Sequence, residues 1–201
     1  LADLMIDKGK EEEAEPLIRE ALDQNEDSEY AYLLLFQIFE KQNNQRAIDS
    51  MALSLASIPS LGIDLKVGIL ERYRNLLPDD EAEKTGLEIG ETILETHPRE
   101  AKAYSVFGDF QNFLDNKVEA RNNYAKAARI DDSHFLIWQQ LIRLNYELRA
   151  YDSLIVHSGL ALEIFPNQSL FWYFNGIANY VKKKYEPAKE AFEQGKLLSA
   201  S

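Results

Sequence analysis

Several residues of this chain recur at a fixed interval of 34 positions. Tyr104, Trp138 and Trp172 follow one another at that interval, and Gly108 and Gly176 are separated by twice the interval. Further pairs at twice the interval are Ala120 and Ala188, Tyr124 and Phe192, and Pro98 and Pro166. Side chains within one helix or strand repeat every two to about four residues, so a single element cannot produce this period. The chain is therefore predicted to consist of copies of one supersecondary unit.

Residues 101–134 show what one copy contains. Apolar residues spaced three and four positions apart form one stripe of an amphipathic helix, and these are Tyr104, Phe107, Phe110 and Leu114. Turn-forming residues at 115–117 interrupt this pattern, and a second apolar pattern follows at 118–130. The unit is therefore predicted to be a hairpin of two antiparallel helices. Gly108 and Ala120 are the small residues expected at the helix contact, because bulk there would separate the helix axes.

This unit resembles the tetratricopeptide repeat. In that family an aromatic residue, a Leu-like residue and Gly lie on the first helix, and Ala, an aromatic residue and Ala lie on the second, with Pro in the connecting turn. The matching positions of the last unit are Trp172, Gly176, Ala188, Phe192 and Gly195. The resemblance implies an all-α fold, a right-handed superhelical solenoid of antiparallel helix hairpins.

The repeat register predicts one array over residues 1–201. Its units are a partial repeat at 1–27, repeats at 28–61, 101–134, 135–168 and 169–201, and an irregular repeat with about five inserted residues at 62–100. The partial repeat is expected to lack its first helix. Gly68 and Pro78 interrupt the helical pattern of the irregular repeat. Two interpretations stay open: a degenerate repeat, or a changed bend that divides the array into two blocks.

Charge limits the partners that the chain can bind. The formal net charge of −12 opposes phosphate backbones and disfavours nucleic acid as a ligand. Residues 1–30 contain eleven Asp and Glu against three Lys and Arg, whereas residues 182–201 contain five Lys against three Glu. Solvated helix faces explain this distribution, and an acidic docking surface for a basic partner is the alternative.

No segment indicates contact with a membrane. No apolar run approaches the roughly 20 residues that span a bilayer, and no basic stretch with an apolar core marks a signal peptide. Because the chain starts at Leu1 rather than Met, we expect it to be a fragment of a longer protein. Cysteine is absent, so the compartment is left open: cytoplasmic or, if an upstream signal was removed, periplasmic.

The sequence contains no pattern typical of catalysis. His97, His134 and His157 are isolated from one another, and without Cys or an HExxH pair a metal site is not expected. A nucleophile elbow, a phosphate-binding loop and a dinucleotide-binding fingerprint are also absent. We therefore predict no enzymatic activity and no cofactor.

The resemblance implies a peptide-binding groove, because the first helices of the repeats line the concave side of such arrays. The candidate groove residues are Tyr32, Phe36, Phe39, Phe113, Gln139, Arg143, Tyr146, Tyr173, Ile177 and Tyr180. Other positions on the same side include Glu29, Glu40, Lys102, Ser105 and Asp109. The aromatic candidates suit a partner segment with apolar anchors, and packing against neighbouring repeats is the equal alternative. Arg143 is also expected to pair with Glu147 one turn away.

Family members that bind a chaperone's C-terminal carboxylate use a Lys–Asn pair on one inner helix. Here the corresponding positions hold Tyr32 and Phe36, or Ser105 and Asp109, so this carboxylate clamp is absent.

The leading functional hypothesis is a non-enzymatic scaffold that binds a protein or peptide partner in its groove. The alternative is a regulatory or targeting region of a larger enzyme, signalling protein or membrane-anchored lipoprotein. RNA recognition by related helical repeats is disfavoured by the negative charge. Apolar ends of the array would also permit a homodimer.

Overall fold

The computed structural model of the protein describes residues 1–199, and all the regular elements of this part are α-helices. The helices are α1 (Ala2–Asp7), α2 (Glu11–Gln24), α3 (Glu29–Lys41), α4 (Gln45–Ser57), α5 (Ile63–Leu76), α6 (Asp80–Thr96), α7 (Ala101–Phe113), α8 (Lys117–Ile130), α9 (Phe135–Glu147), α10 (Tyr151–Ile164), α11 (Ser169–Val181) and α12 (Tyr185–Ser199). Consecutive helices pair into hairpins, so the predicted all-α class is confirmed.

The helices are grouped into two compact units. The first unit, Leu1–Pro98, contains α1 to α6, and the second begins at Arg99 and contains α7 to α12. The boundary falls at the end of the irregular repeat at 62–100, where the 34-residue spacing is disturbed. Each unit has its own core of buried apolar residues.

Side-chain caps explain where several helices of the first unit begin. Asn44 Oδ1 accepts a hydrogen bond of 3.2 Å from the Ala47 amide at the start of α4. Asp79 Oδ1 accepts one of 2.9 Å from the Ala82 amide at the start of α6. These bonds satisfy amides that have no partner within the helix. Pro78 lies between α5 and α6, as expected of a residue that ends a helical pattern.

A short helix, α1, precedes α2 in the partial repeat at 1–27, where the first helix was expected to be missing. The six-residue α1 packs against α2 and buries Ile6 completely. Lys41 from α3 donates to the Ile6 carbonyl oxygen over 2.5 Å and pairs with Glu11 at 3.2 Å. A helix this short carries too few apolar residues to show a period, so the sequence pattern does not indicate it.

The hairpin of α7 and α8 depends on a close approach at Gly108. A Cβ atom at this position would lie 3.3 Å from the Tyr124 ring and 3.4 Å from the Ala120 carbonyl oxygen. Tyr124 cannot easily move away, because it is buried and its hydroxyl donates to Asp109 Oδ1 over 2.5 Å. The prediction that Gly108 and Ala120 lie at the helix contact is therefore confirmed.

The two tryptophans make the same hydrogen bond in successive hairpins. Trp138 Nε1 donates to the Asp132 carbonyl oxygen, and Trp172 Nε1 donates to the Pro166 carbonyl oxygen, each over 2.8 Å. In both cases the acceptor precedes the tryptophan by six residues and lies in the turn before the helix. The aromatic position of the repeat thus fixes the connecting turn to the helix that follows it.

The irregular repeat is held by a buried lysine that the repeat pattern does not anticipate. Lys66 of α5 is fully buried, and its ammonium donates to the carbonyl oxygens of Ala56 at 3.0 Å and Ile58 at 2.6 Å. A third bond of 3.1 Å goes to Thr96 Oγ1 of α6. Burial lowers the pKa of Lys66 to about 8. One side chain therefore connects the end of α4 to α5 and α6.

A polar contact lies within the core between α9 and α10. Asn145 Nδ2 lies 2.9 Å from His157 Nδ1 and donates to the Leu141 carbonyl oxygen at 2.8 Å. His157 Nδ1 must therefore act as an acceptor, which requires an unprotonated Nδ1. Burial, together with the charges of Arg129 and Arg121, lowers the pKa of His157. The neutral imidazole is thus the form that the fold accommodates.

Replacing Gly108 by Ala should destabilise the second unit. The added methyl group must displace the buried Tyr124 ring, and this crowding should outweigh the higher helix propensity of Ala, lowering the free energy of unfolding by about 1 kcal/mol. Both tryptophans lie in the second unit, so urea unfolding followed by tryptophan fluorescence measures the effect. Gly68→Ala is the matched control: a Cβ there meets no atom within 4 Å, so stability should rise by roughly 0.5–1 kcal/mol, measured by circular dichroism. Equal effects of the two changes would contradict the packing argument.

Acid should weaken the second unit through His157. The folded-state pKa is lowered, so as pH falls below about 6.5 the unfolded chain takes up a proton before the folded chain does. The contribution of His157 to stability is therefore complete above that pH and is lost as pH falls towards the folded pKa. Urea unfolding at pH 7 and pH 5, followed by tryptophan fluorescence, should show a smaller loss for His157→Gln than for the natural chain. Equal losses of stability in the variant and in the natural chain would show that His157 does not cause the acid sensitivity.

Candidate functional site

The first unit contains an open groove between α3 and α5, the first helices of neighbouring hairpins. Its volume is about 520 Å³. This α3–α5 groove is lined by Glu29, Leu33, Phe36, Gln37, Glu40, Asp64, Leu65, Gly68, Ile69 and Arg72. Apolar walls combined with a few charged groups are typical of sites that bind ligands or peptides.

Gly68 faces open space in the α3–α5 groove. It lies within α5, and a Cβ atom added there would meet nothing within 4 Å. Glycine lowers helix stability by about 1 kcal/mol relative to alanine. The helix alone would therefore favour a residue with a side chain at this position. Leu33 is exposed at the edge of the groove, whereas Phe36 is buried in its wall.

The charged groups of the α3–α5 groove are held in place by neighbouring polar atoms. Arg72 forms an ion pair with Glu40 across the groove, from α5 to α3. Glu29 Oε1 accepts a hydrogen bond of 2.9 Å from the Gly62 amide, just before α5. The Nε atom of Arg72 is buried and has no hydrogen-bond partner. The two walls of the groove are thus tied together at both ends by charged side chains.

The second unit has a corresponding groove of about 520 Å³ between α7 and α9. This α7–α9 groove is lined by Lys102, Ser105, Asp109, Tyr124, His134, Leu136, Ile137 and Gln140. Burial and the hydrogen bond to Asp109 raise the pKa of Tyr124, so its hydroxyl stays a proton donor at neutral pH. The repeat register assigns Lys102, Ser105 and Asp109 to the concave side, and the structure places all three in this groove.

Of the aromatic groove candidates in the first unit, Phe36 lines the α3–α5 groove. Phe39 is buried in the core, and Tyr32 is half-buried. Burial and the nearby charges of Glu26 and Asp27 raise the pKa of Tyr32, so this residue faces the connection between α2 and α3. For Phe39 the structure thus supports the packing alternative, because its ring is covered by other residues.

In α7 and α9 the candidates lie beside the α7–α9 groove rather than in it. Phe113 is exposed at the end of α7, and Gln140 lines the groove in place of Gln139. Arg143 donates to Glu147 Oε1 over 2.7 Å, as the sequence predicts. It also donates to Gln140 Oε1, over 3.1 Å from Nε and 2.8 Å from Nη2. Arg143 is therefore engaged within its own helix.

The remaining aromatic candidates make ring contacts, two of which are with residues of α12. Tyr146 contacts Phe174 with ring centroids 5.2 Å apart, and Tyr173 lies 6.2 Å from Phe192. Tyr180 lies 5.8 Å from Tyr185. Ile177 is half-buried, and in the sequence of α11 it lies between Tyr173 and Tyr180. The structure therefore associates Tyr173 and Tyr180 with α12 rather than with the first-helix grooves.

Sequence reasoning missed the part of the α3–α5 groove that α5 supplies. The residues concerned are Asp64, Leu65, Gly68, Ile69 and Arg72. The groove candidates were counted on the regular repeats, so none of them lies in α5, although α5 begins 34 residues after α3. The glycine within a helical pattern at Gly68 is the one local signal that could have indicated a close approach or a cavity.

Two features are absent from the described residues: a metal-ligand cluster and a membrane-spanning helix. Across residues 1–199 no group of three or more His, Cys, Asp or Glu side chains is arranged to hold a metal ion. Within the same residues, the helices are too short or too polar to cross a membrane.

Comparison of the sequence with known proteins identifies no relative. No protein-family model matches the chain, and no curated protein matches it.

Comparison of the structure with solved structures finds clear likenesses. A crystal structure of MamA matches 100% of this chain and 95% of its own chain, at 14% identity and a TM-score of 0.52. MamA from AMB-1 matches 86% of this chain and 92% of its own, at 17% identity and a TM-score of 0.61. YrrB, described as a TPR protein with an unusual peptide-binding site, matches 92% and 93%, at 16% identity and a TM-score of 0.60. At such low identity these likenesses establish the fold, and this chain has the fold of the tetratricopeptide repeat proteins.

Proposed function

We propose that this protein is a non-enzymatic protein-interaction scaffold that binds a partner segment in the α3–α5 groove. The observation that carries the proposal is the groove itself, an open space of about 520 Å³ between the first helices of two hairpins. A segment laid along these helices would bury apolar side chains against Leu33, Leu65 and Ile69.

The charges of the groove define the partner more closely. Glu29, Glu40 and Asp64 contribute three carboxylates and Arg72 contributes one guanidinium, so the lining carries a net charge of −2. A segment that places an apolar anchor over Gly68 and carries Lys or Arg beside it matches this lining in shape and in charge. The natural partner is accordingly a basic, partly apolar protein segment.

The likeness to YrrB is consistent with this role. That protein is described as having an unusual peptide-binding site, and it shares its fold with this chain. The site proposed here rests on this chain's own residues. The irregular repeat supplies one wall, and the lysine–asparagine clamp positions hold other residues.

Filling the groove should weaken binding without harming the fold. Peptides selected from a random library against the full chain serve as probes. Gly68→Leu places a side chain in open space, so it should raise the dissociation constant of these peptides at least tenfold, equivalent to about 1.4 kcal/mol. Isothermal titration calorimetry measures the affinity, and circular dichroism confirms that the variant is folded.

Gly159→Leu is the matched control for this experiment. Gly159 also lies within a helix, and a Cβ there also meets nothing within 4 Å, but it lies in α10 and not in the α3–α5 groove. It should bind the peptides with unchanged affinity. The selected peptides should be rich in Lys and Arg, and binding should weaken with added salt. Selected peptides that bind Gly68→Leu and the natural chain equally would refute the groove as the site.

The sequence also predicts a regulatory or targeting role within a larger enzyme, signalling protein or membrane-anchored lipoprotein, and this stays a prediction. Self-association through the ends of the array likewise stays a prediction at this point.

A further inference from the structure

The outer side of α10 is apolar at positions where the other second helices of this unit are polar. The helices α8, α10 and α12 begin at intervals of 34 residues, so their positions correspond one to one. The residues that correspond to Val156 and Leu160 are polar in both other helices, namely Asn122 and Lys126 in α8 and Glu190 and Gln194 in α12. Val156 is 56% exposed and Leu160 is 44% exposed, and Ile164, about one turn further along, is also exposed. These three residues form the apolar row of α10.

The inner side of α10 is already covered by its neighbours. Leu154 and Ala161 are completely buried, and both α9 and α11 pack against the helix. Asn175 of α11 donates to Ser158 Oγ over 2.8 Å. A helix that is apolar on both sides is typical of one that packs on both sides. The apolar row is exposed although helices precede and follow α10 in the second unit, so this surface is open to a partner.

Positive charge lies along one edge of the apolar row. Arg121 and Arg129 are separated by eight residues in α8, so they lie on one side of that helix. Burial, and after it the charges of Arg129 and Arg121, lower the pKa of His157, so both guanidinium groups lie near α10. Arg121 donates to Asn122 Oδ1 over 3.0 Å, and this uncharged acceptor leaves the positive charge in place.

The carboxylates of α10 lie on the opposite edge of the apolar row. Successive residues of a helix are rotated by about 100°, so Asp152 and Glu163 fall on one side of the row and His157 falls on the other. Asp152 is paired with Lys182 at 2.9 Å. The apolar row therefore has two guanidinium groups along its α8 edge, and Glu163 lies away from them.

We propose that the α8–α10 face, formed by the apolar row together with Arg121 and Arg129, binds an amphipathic helix of a partner protein. The partner helix packs its apolar side on Val156 and Leu160, and its carboxylates lie beside the two guanidinium groups. A row with a spacing of four residues matches the equivalent row of another helix.

Charge complementarity selects an acidic helix as the occupant of this face. The chain carries a net charge of −12, but nearby groups decide which partner binds, because exposed charges more than about 8 Å apart are largely screened at physiological ionic strength. On the α8 edge the nearby groups are Arg121 and Arg129. A helix with Lys or Arg on the same edge would place like charges together.

A library of displayed helices tests the proposal with the full chain. Each helix has about 18 residues, enough to cover the length of α10, and a fixed apolar row. The flanking positions are randomised among Glu, Gln and Lys. The Gly68→Leu chain serves as the target, because its α3–α5 groove is filled. The selected helices should carry Glu along one edge of the apolar row, and added salt should weaken their binding.

Two variants of the Gly68→Leu chain locate the bound helices. Val156→Asn with Leu160→Gln introduces polar residues of the kind found at the corresponding positions of α8 and α12. It should raise the dissociation constant of the selected helices at least tenfold in isothermal titration calorimetry, with unchanged helicity in circular dichroism. Arg121→Gln with Arg129→Gln should weaken binding and reduce its dependence on salt.

Leu17→Asn with Leu76→Gln is the matched control. Both leucines are exposed and lie in the first unit, so the change removes a similar apolar surface away from α10. The affinity for the selected helices should stay the same.

Three results would overturn the proposal. The first is a selection that yields no helix, or helices with Lys in place of Glu. The second is equal binding to the Val156→Asn, Leu160→Gln variant and to its parent. The third is a natural chain that dimerises in sedimentation equilibrium while the same variant stays at 23.1 kDa, since a second copy would then cover the apolar row.

The proposal is independent of the α3–α5 groove. Helices for the α8–α10 face are acidic and should bind Gly68→Leu and the natural chain equally. Peptides for the groove are basic and should bind the natural chain more tightly. Each proposal can therefore fail while the other holds.

Discussion

The close approach of the two helices in the α7–α8 and α11–α12 hairpins is the constraint on which the second unit depends. At Gly108 the absence of a side chain lets the Tyr124 ring lie where a Cβ would be in contact at 3.3 Å, and at Gly176 the Phe192 ring lies even closer, at 2.7 Å. Small and aromatic residues must therefore recur together, because each glycine provides the space that the facing ring occupies. These residues recur at the repeat interval because the same packing recurs in each of these hairpins.

The irregular repeat shows how the fold tolerates a loss of this pairing. In α5 the open side of Gly68 faces the α3–α5 groove instead of a ring, and the buried Lys66 replaces aromatic packing with three hydrogen bonds. A buried ammonium is stable only when oxygen atoms surround it, and the carbonyl oxygens at the end of α4 supply two of them. The disturbed repeat thus supplies one wall of the groove in which we propose that the partner segment binds.

Particular elements show how far sequence reasoning reaches. The contact of Gly108 with α8 and the pairing of Arg143 with Glu147 follow from local spacing. The groove residues are harder to predict from the sequence, because the exposure of an aromatic residue depends on which helix covers it. Phe39 is buried although its register position is on the concave side, and Tyr173 and Tyr180 contact rings of α12.

The sequence by itself determined the repeat, the all-α class and the identity of the small residues between paired helices, since these depend on contacts within one hairpin and recur at one interval. Only the tertiary structure decided which residues line the α3–α5 groove, that Lys66 is buried and that Phe192 remains exposed. These properties depend on contacts between hairpins. The sequence pattern of one hairpin holds no information about what packs on its outer surface.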